Sequence, residues 1–198
     1  MENEIVSQSR SYDVHRLLDE ADTVIHFNGK KFDIPTLQRE FVTFGLQPPT
    51  PFHQVDLYQV AKKQFRFPSN KLDYILGHLG LNQKIKHKGM DLWLECMRGE
   101  EQAWDQMKEY NIQDVKVLEA LYMKMLPWIH NHPNMGLWID TDNPVCTNCG
   151  SPHLVKKGTE KTKTQMYQRY KCRDCGTNLR GRFTVVPKDN RERILVQA

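Results

Sequence analysis

Two Cys-x-x-Cys units, Cys146-Thr-Asn-Cys149 and Cys172-Arg-Asp-Cys175, stand 22 residues apart near the end of a 198-residue chain. That spacing is close to the one that builds a tetrahedral four-thiolate metal site. A glycine follows each unit, Gly150 and Gly176, where a knuckle must turn sharply enough for backbone amides to reach the sulfurs. So short a segment cannot bury enough apolar surface to fold unaided, so a metal ion is the expected staple. Four soft ligands that enclose the ion leave no position for a catalytic water, which makes the expected Zn²⁺ structural. A redox dithiol is the competing reading of any Cys-x-x-Cys, and two matched pairs argue against it. The odd total of five cysteines opposes a disulfide framework, and the fifth, Cys96, reads as a small buried hydrophobe.

Charge is unevenly spread. Residues 145–198 carry twelve Lys or Arg against four acidic residues, a balance of +8, in a chain whose formal net charge is +4. The first 144 residues therefore sum to −4. Four thiolates with one Zn²⁺ would still leave the tail about +6, which favours a polyanion such as nucleic acid over a merely solvated tail. Hydrophobic residues at 39% are enough for a buried core. No apolar run approaches the roughly 20 residues that span a bilayer, and Met1 to Arg10 has no apolar signal core. The expectation is a soluble, cytoplasmic protein with no membrane partner.

Helical and strand patterns alternate through the first part, which predicts an α/β fold. Val14, Leu17, Leu18 and Ala21 repeat at helical spacing within Tyr12 to Asp22, and Thr23 to Phe27 reads as a buried strand. Asn28-Gly29 turns the chain into a helix with Pro35 in its first turn, running to about Phe44. A proline-rich loop, Gln47 to Pro51, precedes a short strand at Val55 to Tyr58. Ser69 or Asn70 is expected to cap a helix from Lys71 to Leu79. A basic loop at Lys84 to Lys88 leads to two helices, Met90 to Arg98 and Glu101 to Ile129. From His130 to Pro144 the sequence reads as a linker, with a domain boundary near 143. Beyond it, Leu154 to Lys157 and Gln165 to Lys171 read as strands joined by a polar hairpin, and residues 186–198 as a tail.

The run Cys146-x-x-Cys-Gly-Ser-x-x-Leu-Val-Lys-Lys-Gly158, followed by Gln168-Arg-Tyr-Lys-Cys-Arg-Asp-Cys-Gly176, resembles the zinc ribbons of insertion-sequence transposases and related nucleic-acid proteins. The resemblance implies that Lys156, Lys157, Lys163, Arg169, Lys171, Arg173, Arg180 and Arg182 hold phosphates, with Tyr167, Tyr170 and Phe183 stacking on bases. A solvated face around a protein-binding ribbon is the bland alternative.

His26-Phe-Asn-Gly-Lys-Lys-Phe-Asp33 sets an aspartate directly after a strand and its turn, and Tyr110-Asn-Ile-Gln-Asp114 sets a phenol and a carboxylate on one helical face. Paired-metal phosphodiester hydrolysis needs oxygens to hold Mg²⁺ or Mn²⁺ and a group to orient water. Taken singly, the first Asp is equally a helix cap, and the Tyr/Asp pair a surface pair. Together, Asn-x-x-x-Phe-Asp and Tyr-x-x-x-Asp resemble the second and third motifs of the DEDDy branch of DnaQ-like exonucleases, within the ribonuclease H-like superfamily. With the ribbon, the chain is similar to ribonuclease H-like proteins of phages and bacteria, over about residues 12 to 185.

What the resemblance implies is a 3′-to-5′ exonuclease. Asp33 and Asp114 would ligate Mg²⁺ or Mn²⁺, and Tyr110 would orient water. His26 reads instead as a buried strand histidine, and His153 as surplus to a site already holding four cysteines. The family's first motif, Asp-x-Glu on an opening strand, has no counterpart here, because Glu2, Glu4 and Asp13 sit in a polar lead and Asp19, Glu20 and Asp22 on or just past the first helix. Its strands would precede Met1 or come from self-association or a partner; otherwise the domain is a catalytically impaired nucleic-acid-binding or assembly scaffold. The expected architecture is a partial ribonuclease H-like domain over 1–143 and a small zinc ribbon over 144–185.

Overall fold

A computed structural model describes residues 2–81 and 89–196, so the basic loop expected at 84–88 lies outside the described residues. The chain divides into two compact units, Met1–Met125 and Leu126–Ala198.

The first unit runs α1 (Glu2–Glu20), β1 (Thr23–His26), α2 (Asp33–Thr43), β2 (His53–Asp56), α3 (Leu57–Gln64), α4 (Leu72–His78), α5 (Met90–Met97) and α6 (Glu101–Met125). β1 and β2 pair in parallel, Thr23 opposite His53 and His26 opposite Asp56. A parallel pair needs a crossover, and α2 supplies it. Ile34 and Phe41, seven residues apart on α2, are buried, and the Phe41 ring meets His15 of α1 edge-on at 5.1 Å. Val117, Leu121 and Met125 of α6 recur every fourth residue and are all but inaccessible, as are Val55, Leu57, Ala61, Ile75 and Leu76. The other half of α6 builds a separate small core with α5, in which Leu92, Cys96, Ala103 and Met107 pack together and Tyr110 lies against them. Cys96 is thus the buried hydrophobe the sequence suggested.

Two sequence expectations need correction here. α1 begins at Glu2, so the polar residues before Tyr12 belong to the helix; their lack of an apolar stripe hid a segment that helix propagation carries. Neither Ser69 nor Asn70 caps α4: the N-cap is Lys71, which makes no side-chain cap bond, and Ser69 Oγ only accepts a 3.4 Å bond from the Lys71 amide.

In the second unit, two 3₁₀ turns, Leu126–Trp128 and Met135–Leu137, precede β3 (Leu154–Lys161), β4 (Met166–Cys172), β5 (Asn178–Thr184) and a four-residue helix, α7 (Lys188–Arg191). The strands form one antiparallel sheet in the order β3-β4-β5. The stretch read as a linker is tied to the first knuckle. Asn148 Nδ2 donates to the carbonyls of Leu126 (2.8 Å) and Ile129 (3.1 Å), and Met135 N donates to Thr147 O at 2.8 Å. β5 was not foreseen, because Gly181 and its charged neighbours break the period-two pattern.

Candidate functional site

The first unit gathers polar groups where its two parallel strands end, the place at which open α/β sheets present ligands. Asp56 closes β2 and caps α3. Its Oδ1 accepts from Tyr58 N at 3.0 Å and from Asn28 N at 2.8 Å, across from the end of β1. Asn28 adopts the left-handed conformation, φ 64°. His26 Nδ1 accepts from Gly29 N at 3.1 Å, which fixes the tautomer with the proton on Nε2, 3.2 Å from Gln54 Oε1. His26 is buried, as its strand position led one to expect. Asp33 follows as the first residue of α2 and is exposed. Its Oδ2 lies so close over Gly29 that a Cβ there would come within 3.1 Å of it and 2.8 Å of His26 Cγ. Gly29 is therefore required by close packing. Asp56 Oδ2 and Asn28 Oδ1 are buried acceptors to which no group among the described residues donates. The Asp56 oxygen lies 3.8 Å from His26 Nδ1.

Tyr110 and Asp114 lie on α6, four residues apart and both half-buried. Asp33, Asp56 and Asp114 offer the hard oxygens that Mg²⁺ or Mn²⁺ prefers. They fit in kind but not in number. Among the described residues, the one group of three or more potential ligands within 4.8 Å of one another is Cys146, Cys149, Cys172 and Cys175.

That cluster comes from one turn used twice. Gly150 N donates to Cys146 O at 2.8 Å and Cys146 N to Ser151 O at 2.8 Å; Gly176 N donates to Cys172 O at 3.2 Å and Cys172 N to Thr177 O at 2.9 Å. Gly150 (φ 74°) and Gly176 (φ 83°) supply the left-handed residue each knuckle needs. Sulfurs approach across the knuckles, Cys146 to Cys175 at 3.5 Å and Cys149 to Cys172 at 3.6 Å. A tetrahedron with metal–sulfur bonds of about 2.3 Å has edges of about 3.8 Å, so the four thiols fit such an ion without rearrangement. Burial raises the thiols of Cys146 and Cys149. It also opposes ionisation of Cys172, but the backbone N–H groups of Cys175 and Asp174 and the thiols of Cys149 and Cys175 outweigh it and bring that thiol down to about 7.

Within residues 144–198 the only buried apolar side chains among the described residues are Cys146 and Cys172. The four-cysteine cluster is this segment's core. A second tie joins the knuckles and was missed by sequence reasoning: Ser151 Oγ donates to Asp174 Oδ2 at 2.5 Å, and His153 Nδ1 lies 3.0 Å from the same oxygen. Asp174 is held below its ordinary value by the Ser151 hydroxyl first and His153 second. His153, surplus to the cysteine set, thus has a role in joining it.

The eight basic residues singled out from the sequence are all exposed, but the fold sorts them. Side chains alternate along β4, so Arg169 and Lys171 share a face with Tyr167, and pairing brings Arg180 onto it opposite Arg169. The Arg180 guanidinium lies 4.4 Å from the centre of the Tyr167 ring and 3.0 Å from Glu160. Lys156 pairs with Tyr170 on the other face. Lys157 and Arg182 sit where the register slips, Lys163 lies in the β3–β4 turn, and Arg173 lies in the second knuckle.

Residues 2–126 match the family model of the RNase_H superfamily. This covers well over half of the chain, which belongs to that superfamily; its mixed α/β fold is ribonuclease H-like. A search of curated proteins found no match. No helix among the described residues is long and apolar enough to cross a membrane.

Proposed function

We propose that the chain is a metal-dependent nuclease of the 3′-to-5′ exonuclease type, of the DEDDy branch found in phages and bacteria, whose C-terminal zinc ribbon (144–185) holds the nucleic acid. Membership of the ribonuclease H superfamily supports phosphodiester hydrolysis as the reaction class. The observation that carries the finer reading is the position of Asp33. It opens α2 beyond the carboxyl ends of two parallel strands, on a turn locked from both sides by Asp56 and His26. In this reading Asp33 and Asp114 would hold Mg²⁺ or Mn²⁺, and the Tyr110 hydroxyl, four residues before Asp114 on α6, would orient the water. The metal would polarise the phosphodiester when bound. Cys146, Cys149, Cys172 and Cys175 would hold Zn²⁺ as a structural ion, and their free thiols suit a reducing, cytoplasmic setting.

One observation favours a second reading, a catalytically impaired nucleic-acid-binding or assembly protein: the described residues gather no oxygen-ligand trio. A partner offers a way out. Among the described residues β1 pairs with β2 alone, so its other edge is open, and beside it Ile25, Val115, Leu118 and Tyr122 line a groove of about 260 Å³. A strand from a second copy or another chain would fit that edge and could bring further carboxylates.

The test is incubation of the purified chain with a 3′-labelled single strand and Mg²⁺ or Mn²⁺, beside Asp114→Asn and a variant with all four ribbon cysteines changed to serine. Stepwise shortening abolished by Asp114→Asn supports the nuclease. Binding without cleavage, lost with the cysteines, supports the scaffold and overturns the nuclease.

A further inference from the structure

The β3-β4-β5 sheet has two unlike faces. Leu154, Tyr170, Leu179, Phe183 and Val145 line a groove of about 500 Å³, with Arg180 and Arg182 also in its wall. The sheet that carries it has two register slips, and the one in β5 lies along the groove. Between the pairs Arg169–Arg180 and Tyr167–Thr184, three residues of β5, Gly181, Arg182 and Phe183, stand against the single residue Gln168 of β4. On the other side, Lys157 and Gly158 of β3 stand against Arg169 alone, and Gln168 Nε2 donates to the Gly158 carbonyl at 2.8 Å. Bulges re-aim side chains. Here the result is a phenylalanine left 80% exposed beside an apolar groove, with the Arg182 guanidinium 5.7 Å from its ring centre.

We infer that this groove takes an unpaired nucleobase, so that the ribbon selects single strands over duplex. The inference rests on the reading of the second unit as a nucleic-acid-binding module, and deepens it by naming the form of nucleic acid. Charge selects the class of occupant, since the groove belongs to a segment with a balance of +8 and carries Arg182 in its wall. Shape selects the form. A groove lined by apolar side chains and by Tyr170 and Phe183 suits the face of a base, and a paired base in a duplex has both faces covered by its neighbours. Arg182, next to Phe183 in the chain, is placed to meet the phosphate beside a stacked base. Stacking engages every base alike, so little sequence preference is expected.

Anisotropy titrations of the zinc-loaded full chain test this, using a labelled mixed-sequence strand, the same strand annealed to its complement, and a strand of abasic sites. The expected result is tightest binding to the single strand. Phe183→Ala should weaken that binding about tenfold and leave duplex binding unchanged, while Phe183→Leu, which keeps bulk without the π-face, recovers little of it. Arg182→Gln should lower the salt slope by about one on the single strand. Phe183 is so exposed that its loss will not unfold the sheet, and zinc content checks this. Equal affinity for the intact and abasic strands, or a Phe183→Ala variant that binds the single strand as the parent does, overturns the groove while leaving the nucleic-acid reading intact. Failure to bind any of the three strands at low salt overturns both.

Discussion

The backbone N–H of Asn28 donates to Asp56 Oδ1 at 2.8 Å, joining the turn after β1 to the last residue of β2, 28 positions away in the chain. The same oxygen caps α3 through Tyr58 N. One buried carboxylate thus fixes both the start of a helix and the left-handed residue from which the Asp33 turn departs. Asp56→Ala leaves two amides without their acceptor, and is expected to cost about 2–3 kcal/mol in denaturant unfolding. Asp56→Asn keeps an acceptor oxygen and should cost less than half of that. Amide exchange at Asn28 and Tyr58 checks the mechanism: both should speed up in the alanine variant.

Gly29 carries the second constraint on that turn. An alanine methyl there would meet His26 Cγ at 2.8 Å and Asp33 Oδ2 at 3.1 Å, and both belong to elements fixed by their own bonds. Gly29→Ala is expected to destabilise the first unit by about 1–3 kcal/mol. It should also shift the resonances of Asp33 and His26, a displacement absent from an alanine placed at Gly181, where a Cβ meets its nearest neighbour at 3.6 Å, an ordinary contact.

How far these features were legible in the sequence follows from how local their signals are. Asn28-Gly29 and the helix with Pro35 were readable because turn chemistry is short-range. Asp56 was not, since its partner lies on another strand and only the parallel register brings His26 and Asp56 together. The cysteines were readable from spacing, whereas the Ser151–Asp174–His153 tie, which joins residues more than twenty positions apart, was not. The basic residues could be counted from sequence but not sorted onto faces, because two register slips in the sheet reset the alternation.

Asp19 provides a pH-dependent tie. Its Oδ1 accepts from Thr50 N (2.7 Å) and Thr50 Oγ1 (2.8 Å), and these bonds, the backbone one first, hold its carboxyl below the ordinary 3.8. A depressed folded value means the carboxylate stabilises the fold above its unfolded pKa, and that this is lost as pH falls through the folded one. The stability difference between the parent and Asp19→Asn should therefore be constant above about pH 5 and shrink towards about pH 3. A difference that grew on acidification would contradict the assignment.

Arg180 pairs with Glu160 at 3.0 Å, and in the proposed reading the same guanidinium would meet phosphate. The Arg180–Glu160 pair is about half exposed on both sides, so it contributes little to stability. Glu160→Gln should change unfolding by less than about 0.5 kcal/mol and tighten nucleic-acid binding about fivefold at low salt, by releasing one guanidinium to phosphate. Asp105→Asn, exposed in the first unit, serves as a control for net charge alone. An equal gain in both variants would show that the long-range field, rather than Arg180, sets the affinity.

Removing metal should separate the two units. Among the described residues the ribbon segment buries no apolar side chain besides Cys146 and Cys172, whereas Leu57, Ile75, Leu76 and Leu121 give the first unit an inaccessible core made without a ligand cysteine. Structural zinc sites contribute about 10–16 kcal/mol at neutral pH, far more than the ribbon's own packing can replace. Chelation is expected to abolish the strand signal and amide protection of β3, β4 and β5, and to leave the helices of the first unit protected. Because protons compete with metal for thiolates, release should ease as pH falls. Thiols of the unfolded, metal-free segment are largely protonated near neutrality, so metal uptake there should release protons. Cys96→Ser should leave the metal content unchanged, and Cys172→Ser should lower it. Loss of protection in α3 and α6 on chelation would show that the metal supports both units.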